Sequence, residues 1–314
     1  MHLKAVSLWG VHIADGVLTT PWYVGGFLLA GVLLLVGCWR LGDEEVSWVA
    51  LLTAAFFVAS QIHVRVGPTS VHLLLNGLLG VVLGRRALLA IPVGLFLQMA
   101  LFQHGGLYSL GVNAAVQAIP ALIGWRLFRA LHRAAWYRHR WGRIVLVTAS
   151  GWLWLACLVY SLALLWQQHW ARLSPFFHAA ALIGPLLAAL ALAAWEHRLE
   201  ASPEFPLGLL VGVVVVLATI TLHSWVLLAN GETLQTDDEL VRLAEYLRLP
   251  VGPATTNDAA TAWQTLALLV LIAHIPLAAV EGVILGFTVS FLARVRPELL
   301  GGSGAEKRTC STEA

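Results

Sequence analysis

The chain has 314 residues, of which 59% are hydrophobic and only 11% charged, with a formal net charge of +2, whereas a soluble domain carries roughly a quarter charged residues. So few charges cannot coat a water-facing globule of this size, and the apolar runs recur along the whole length, which excludes a signal peptide leading a soluble domain and defines an all-α integral membrane protein, a polytopic helical bundle. A near-neutral balance gives no footing for nucleic acid, and Cys38, Cys157 and Cys310 are too widely spaced for a disulfide framework or a thiolate metal site.

A bilayer crossing needs ~20 apolar residues. On that measure the sequence predicts about nine transmembrane helices, near 22–39, 47–63, 69–84, 87–103, 111–130, 143–166, 176–196, 207–229 and 263–293. The third is short, which predicts a helix shielded from lipid; its Gly77, Gly80 and Gly84 spacing suits close helix approach. Residues 231–262 form one long polar loop, acidic at Asp237, Asp238 and Glu239, with Leu240, Leu243 and Leu247 spaced for a short amphipathic surface helix. Nine crossings put the termini on opposite sides. Fourteen Lys and Arg residues then fall on one side, Arg126, Arg129, Arg133, Arg138, Arg140 and Arg143 among them, and five on the other. Cytoplasmic loops collect cations, so the expected placement is the cell (inner) membrane, N-terminus outside, C-terminus and the 301–314 tail cytoplasmic.

That topology gathers four histidines at the outer face: His12 before the first span, His63 ending the second, His72 opening the third and His104 ending the fourth. Convergent imidazoles outside a membrane suit divalent-metal capture, since neutral imidazole is a common nitrogen ligand for cobalt, nickel, copper and zinc. Any one of them alone is more simply a loop-bonding side chain. His132, His139, His169 and His197 sit in or beside loops and read that way, and His178, His223 and His274, inside spans, read as helix-to-helix hydrogen bonds.

Four ordered segments carry a resemblance. They are Val11-His12-Ile13-Ala14-Asp15-Gly16, Gly67-Pro68-Thr69-Ser70-Val71-His72, His104-Gly105-Gly106-Leu107 with Leu110-Gly111-Val112-Asn113, and Val280-Glu281-Gly282 with Arg294 to Leu300. They resemble the motifs of CbiM and NikM, the cobalt/nickel substrate-binding components of energy-coupling factor (ECF) transporters. The resemblance covers 11–130 and about 205–300 of a single membrane domain. It implies a family core of about seven helices, with 142–200 as an inserted pair.

In that family the N-terminal amine, the next backbone nitrogen, its imidazole and a later histidine chelate the metal in a plane, a geometry suited to nickel(II). Carried over, the resemblance implies His12 and His72 as ligands, with the Val11 main-chain amine joining them if translation starts at position 11. Asn76 and Asn113 are candidates to orient His72, or to satisfy backbone inside the bundle, and His63 and His104 are weaker candidates. Asp15 is expected to cap the first helix, and Glu281 to be hydrogen-bonded for structure. The resemblance further implies transported Co2+ or Ni2+ with no tightly bound cofactor. The implied partners are a transmembrane coupling subunit, cytoplasmic ATPases and a small accessory membrane subunit. No GxxxxGKS or GxxxxGKT occurs, so ATP hydrolysis belongs to partners, and the GxxxG face of the third span is where the coupling subunit is expected to dock. The competing classes are an intramembrane metalloenzyme, which lacks its HExxH, and a structural membrane protein with no transport role.

Overall fold

The computed structural model describes residues 12–66, 69–134, 136–165, 203–231 and 256–300. Val11, the expected span at 176–196, most of the expected outer loop and the 301–314 tail lie outside the described residues.

Helix α1 runs Thr20–Cys38, with Pro21 in its first turn, where a missing N–H costs nothing. Its last carbonyls are claimed by an arginine far along the chain. The buried Arg86 guanidinium donates to Gly37 O at 2.8 Å, Trp39 O at 2.7 Å and Arg40 O at 2.5 Å, placing a cation where a helix C-terminus carries partial negative charge. The same group reaches Glu45 Oε2 at 2.6 Å. Glu45 also accepts the Gly42 N–H at 3.0 Å and so fixes the start of α2, Asp43–Ala59.

After α2 the chain does not continue as helix. Strands β1, His63–Val66, and β2, Thr69–His72, pair antiparallel with His63 opposite His72. Helix α3, Asn76–Leu83, is only two turns long and largely buried. A 3-10 turn at Gly84–Arg86 leads into α4, Ala87–Phe102. Gly84 has φ 58°, and a Cβ there would lie 2.9 Å from Trp125 Nε1, so glycine serves both the turn and the close approach. Then come α5, Leu110–Ala134, α6, Arg140–Leu165, α7, Glu204–Gly231, and α8, Thr256–Val295.

Among the described residues five stretches are long and apolar enough to cross a membrane: Thr20–Cys38, Asn76–Phe102, Arg140–Leu162, Glu204–Asn230 and Val270–Val295. The protein is a multi-pass helical membrane protein. The second of these stretches qualifies by length, yet it folds back at Gly84. A straight 27-residue helix would hold its ends about 40 Å apart, whereas the His72 and His104 rings that flank this one are 6.5 Å apart.

Nine transmembrane helices are therefore not supported. The expected span 47–63 stops at Ala59, and the expected span 69–84 is a strand, a three-residue link and a half-length helix. The reason is local. Val64, Val66 and Val71 alternate with polar residues around Gly67-Pro68, which favours a hairpin over a helix.

Packing removes a second expectation. A Cβ on Gly80 would sit 2.2 Å from Ala121 O of α5, and one on Gly77 would meet Val215 of α7 at 3.6 Å. The small-residue face of α3 is sealed by this chain's own helices and offers nothing to a coupling subunit. Helices α7 and α8 also cross closely, since a Cβ on Gly212 would lie 2.6 Å from Gly282 Cα and one on Gly208 2.8 Å from Gly286 Cα.

Candidate metal centre

Three histidines from three separate segments meet at the end of the bundle where α1 and α5 begin and α4 finishes. The rings of His12 and His72 stack with centroids 4.9 Å apart and planes 8° from parallel. His104 stands edge-on to both, 5.9 Å from His12 and 6.5 Å from His72. His12 and His72 are 6% and 3% exposed, so the pair lies inside the protein and not on an open outer surface. Rings this close are within reach of one ion held by metal–nitrogen bonds of ~2 Å.

The protonation of His72 follows from its surroundings. Its Nδ1 lies 3.0 Å from Leu73 O; a carbonyl only accepts, so Nδ1 carries the hydrogen. Nε2, also buried, is left with the lone pair a metal needs.

His12 is placed by its neighbours. Asn113 of α5 grips Ile13 at two points, its Oδ1 accepting the Ile13 N–H at 2.8 Å and its Nδ2 donating to Ile13 O at 2.9 Å. Ser109 Oγ donates to the same carbonyl at 2.6 Å. Asp15 accepts the Leu107 N–H at 2.8 Å and the Ser109 N–H at 2.9 Å. Asp15 thus fixes the approach to α5 and does not cap α1, whose N-cap, Thr19, makes no side-chain cap bond. Gly106 makes this contact possible, because a Cβ there would lie 2.0 Å from Asp15 Oδ1. Further along, Tyr23 Oη accepts the Gly16 and Leu18 N–H groups at 2.9 and 3.1 Å. Asn230 of α7 accepts the Thr19 N–H at 2.8 Å and donates to Val17 O at 2.9 Å.

The other candidates divide. His63 stands opposite His72 in the hairpin. Asn113 acts on the His12 strand, not on His72. Asn76 turns into the bundle, donating to Thr219 Oγ1 at 2.8 Å and to Gln117 O at 3.3 Å while accepting the Gly77 N–H at 3.0 Å, so the structure gives it no part in orienting His72. His274, expected to bridge helices, bonds through Nδ1 to Val270 O of its own helix at 2.7 Å. The sequence reading missed Ser109, Tyr23 and Asn230. Only Asn230 left a trace, as the polar residue closing a long apolar run.

Among the described residues no group of three His, Cys, Asp or Glu side chains is spaced to hold a metal ion by itself. Two stacked imidazoles with a third edge-on are a partial set of nitrogen groups.

Two buried, stacked imidazoles with a third edge-on to them thus sit in a multi-pass helical membrane protein. The family model described as cobalt uptake substrate-specific transmembrane region, CbiM, matches residues 12–196 and 180–299, and the chain belongs to that family. A Haemophilus influenzae relative, named as a candidate metal transport protein, is 47% identical over 120 residues, 38% of this chain and 58% of the relative. An Archaeoglobus fulgidus relative, named as a candidate fused nickel transport protein NikMN, is 32% identical over 127 residues, 39% of this chain and 43% of the relative. The chain thus spans about half the length of the curated relatives it matches. A crystal structure of a transition metal transporter aligns at a TM-score of 0.49 and 19% identity, covering 94% of this chain and 98% of that one.

Proposed function

We propose that this chain is the substrate-binding membrane subunit of an ECF-type transporter that takes up Co2+ or Ni2+. The supporting observation is the stacked His12–His72 pair, with His72 Nδ1 committed to Leu73 O and Nε2 left as donor. The ion is cargo and no cofactor is retained. Nitrogen donors favour late first-row divalent metals over magnesium and calcium, which prefer oxygen. His12 and His72 ligate with His104 standing beside them, and main-chain nitrogen at Val11 and His12 completes the square when the mature chain opens at position 11. Intact-mass measurement of the mature N-terminus tests this last step, and a chain retaining Met1 removes it.

Capture takes place on the extracytoplasmic side. The arginines at the opposite end support that orientation: Arg40, Arg85, Arg86, Arg138, Arg140 and Arg296 cluster where α1 ends, α6 starts and α8 finishes. The family-like core spans 11–130 and 205–300, with 142–200 as an inserted helix pair. A coupling subunit, cytoplasmic ATPases and a small accessory membrane subunit complete the transporter, and this subunit is itself no enzyme. The test is cobalt and nickel accumulation by cells expressing the chain with and without those partners. Wild type is expected to accumulate metal only with them, and His12→Ala and His72→Ala not at all. Normal accumulation by both variants would remove the assignment.

A further inference from the structure

Helix α8 contributes no imidazole to the trio, yet it reaches the segment that carries one. Glu281, 4% exposed in the middle of α8, directs its carboxylate at the start of α3, more than two hundred residues earlier. Oε1 accepts the Leu74 N–H, and Oε2 accepts the Leu75 N–H at 3.1 Å. Leu75 is the N-cap of α3, in the left-handed region at φ 46°, and its side chain supplies no cap bond. Non-glycine residues enter that region only when their surroundings hold them there. α3 has no acidic residue in its first turn, so Glu281 supplies from another helix what a local cap would otherwise provide.

Two residues back the chain is at the ligand. The Leu73 carbonyl that fixes the His72 tautomer belongs to the peptide unit whose N–H is that of Leu74, held by Glu281. A peptide unit is planar, so turning its N–H turns its C=O with it. The Glu281 carboxylate, the Leu73–Leu74 peptide and the His72 imidazole are therefore linked through one rigid plane. α8 in turn is locked against α7 through Gly282, the residue after Glu281.

We propose that Glu281 is the positioning residue for the His72 ligand: it sets the direction of His72 Nε2 by orienting the Leu73–Leu74 peptide. The inference rests on the reading of His72 as a metal ligand. Removal of the Glu281 contacts leaves the imidazole present but misaimed. Partners that orient a ligating histidine typically contribute 10–100-fold in metal affinity.

The test uses the purified full chain in detergent, titrated with Ni2+ alone and followed by calorimetry and by the nickel ligand-field absorption. Glu281→Gln keeps the side-chain volume but turns a donor toward one of the two N–H groups. It is expected to weaken Ni2+ binding about 10–100-fold and to shift the ligand-field band. Thr288→Ala, on the same helix and lacking only the hydroxyl bond to Ile284 O at 2.8 Å, is expected to bind with wild-type affinity and spectrum. A structural role alone would lower the folded yield of Glu281→Gln while its folded fraction kept the wild-type constant and band, and that result overturns the proposal. Should Glu281→Gln not fold, Glu281→Asp, one methylene too short to meet both amides, is read the same way. His72→Ala separates the two layers. Loss of binding there with an unaffected Glu281 variant sinks the positioning role alone, and wild-type binding by His72→Ala sinks the ligand assignment and this inference with it.

Discussion

Replacing Asn113 with alanine tests how the His12 strand is held. Ile13 is 3% exposed, and its N–H meets Asn113 Oδ1 while its carbonyl meets both Asn113 Nδ2 and Ser109 Oγ. In Asn113→Ala the carbonyl keeps Ser109, but the N–H loses its acceptor in a dry environment. A stranded buried donor costs about 1–3 kcal/mol. The loss falls on the docked strand, since the helices keep their own hydrogen bonds. About 2 kcal/mol taken from the docked form corresponds to Ni2+ binding weakened roughly 30-fold, at 1.4 kcal/mol per decade. Ser109→Ala leaves Ile13 O with its Asn113 donor and is expected to cost about 0.5–1 kcal/mol, a few-fold in affinity. Calorimetric titration of both variants beside wild type reads the difference directly. Equal effects from the two, or wild-type affinity in Asn113→Ala, would refute the assignment of the clamp.

Gly106→Ala would drive a methyl to 2.0 Å from Asp15 Oδ1 and 2.7 Å from the Asp15 backbone nitrogen. The strand must move, and nickel affinity is expected to fall at least tenfold while helix content by circular dichroism stays unchanged. Arg86→Lys replaces a planar fork reaching three carbonyls and Glu45 by a single ammonium. About 2–3 kcal/mol of stability should go, read as a lower melting temperature with metal affinity retained, because the change lies at the far end of the bundle. Acid should also destabilise the protein. Burial holds the His132 imidazole below its usual 6.5, with Glu204 opposing and Arg138 adding to the shift, so the unfolded chain takes up the proton first. Stability is then full above that value and falls as pH drops below it, and His132→Gln should flatten this limb of the melting curve. A further fall is expected as pH drops below 4.5, where the unfolded chain takes up the Glu45 proton first because the hydrogen bond from Arg86 holds the folded carboxyl lower.

What the sequence revealed and what it hid have physical causes. His12, His72 and His104 could be singled out because they stand beside glycines and short polar breaks that interrupt apolar runs. The burial of His12 and His72 was not legible, since it depends on tertiary packing. Residues 69–72 were read as the start of a helix and 64–68 as the break between two spans because hydropathy counts apolar residues without regard to period, although the alternation of Val64 and Val66 was there to see. Asp15 was given the wrong neighbour, whereas Asn113 takes the second of its two expected roles and satisfies backbone, at Ile13. A hydrogen-bonding side chain shows its chemistry in sequence, whereas a partner about a hundred residues away is set only by packing. Arg86 shows the same limit. It counted as one more cation on the cytoplasmic side, and nothing local marks it as the terminator of a helix that ends at Cys38.

The tethers of residues 12–19 also set an order of assembly. The side chains that hold this segment, beyond Tyr23 of α1, come from Ser109, α5 and α7, up to 213 residues downstream. The segment emerges early in synthesis, meets Asn113 and Ser109 once α5 is made, and gains its last tethers only when Asn230 is inserted. Full seating of the segment therefore comes late, after the membrane core has closed, and a chain cut before Asn230 carries both histidines without the tethers at Val17 and Thr19.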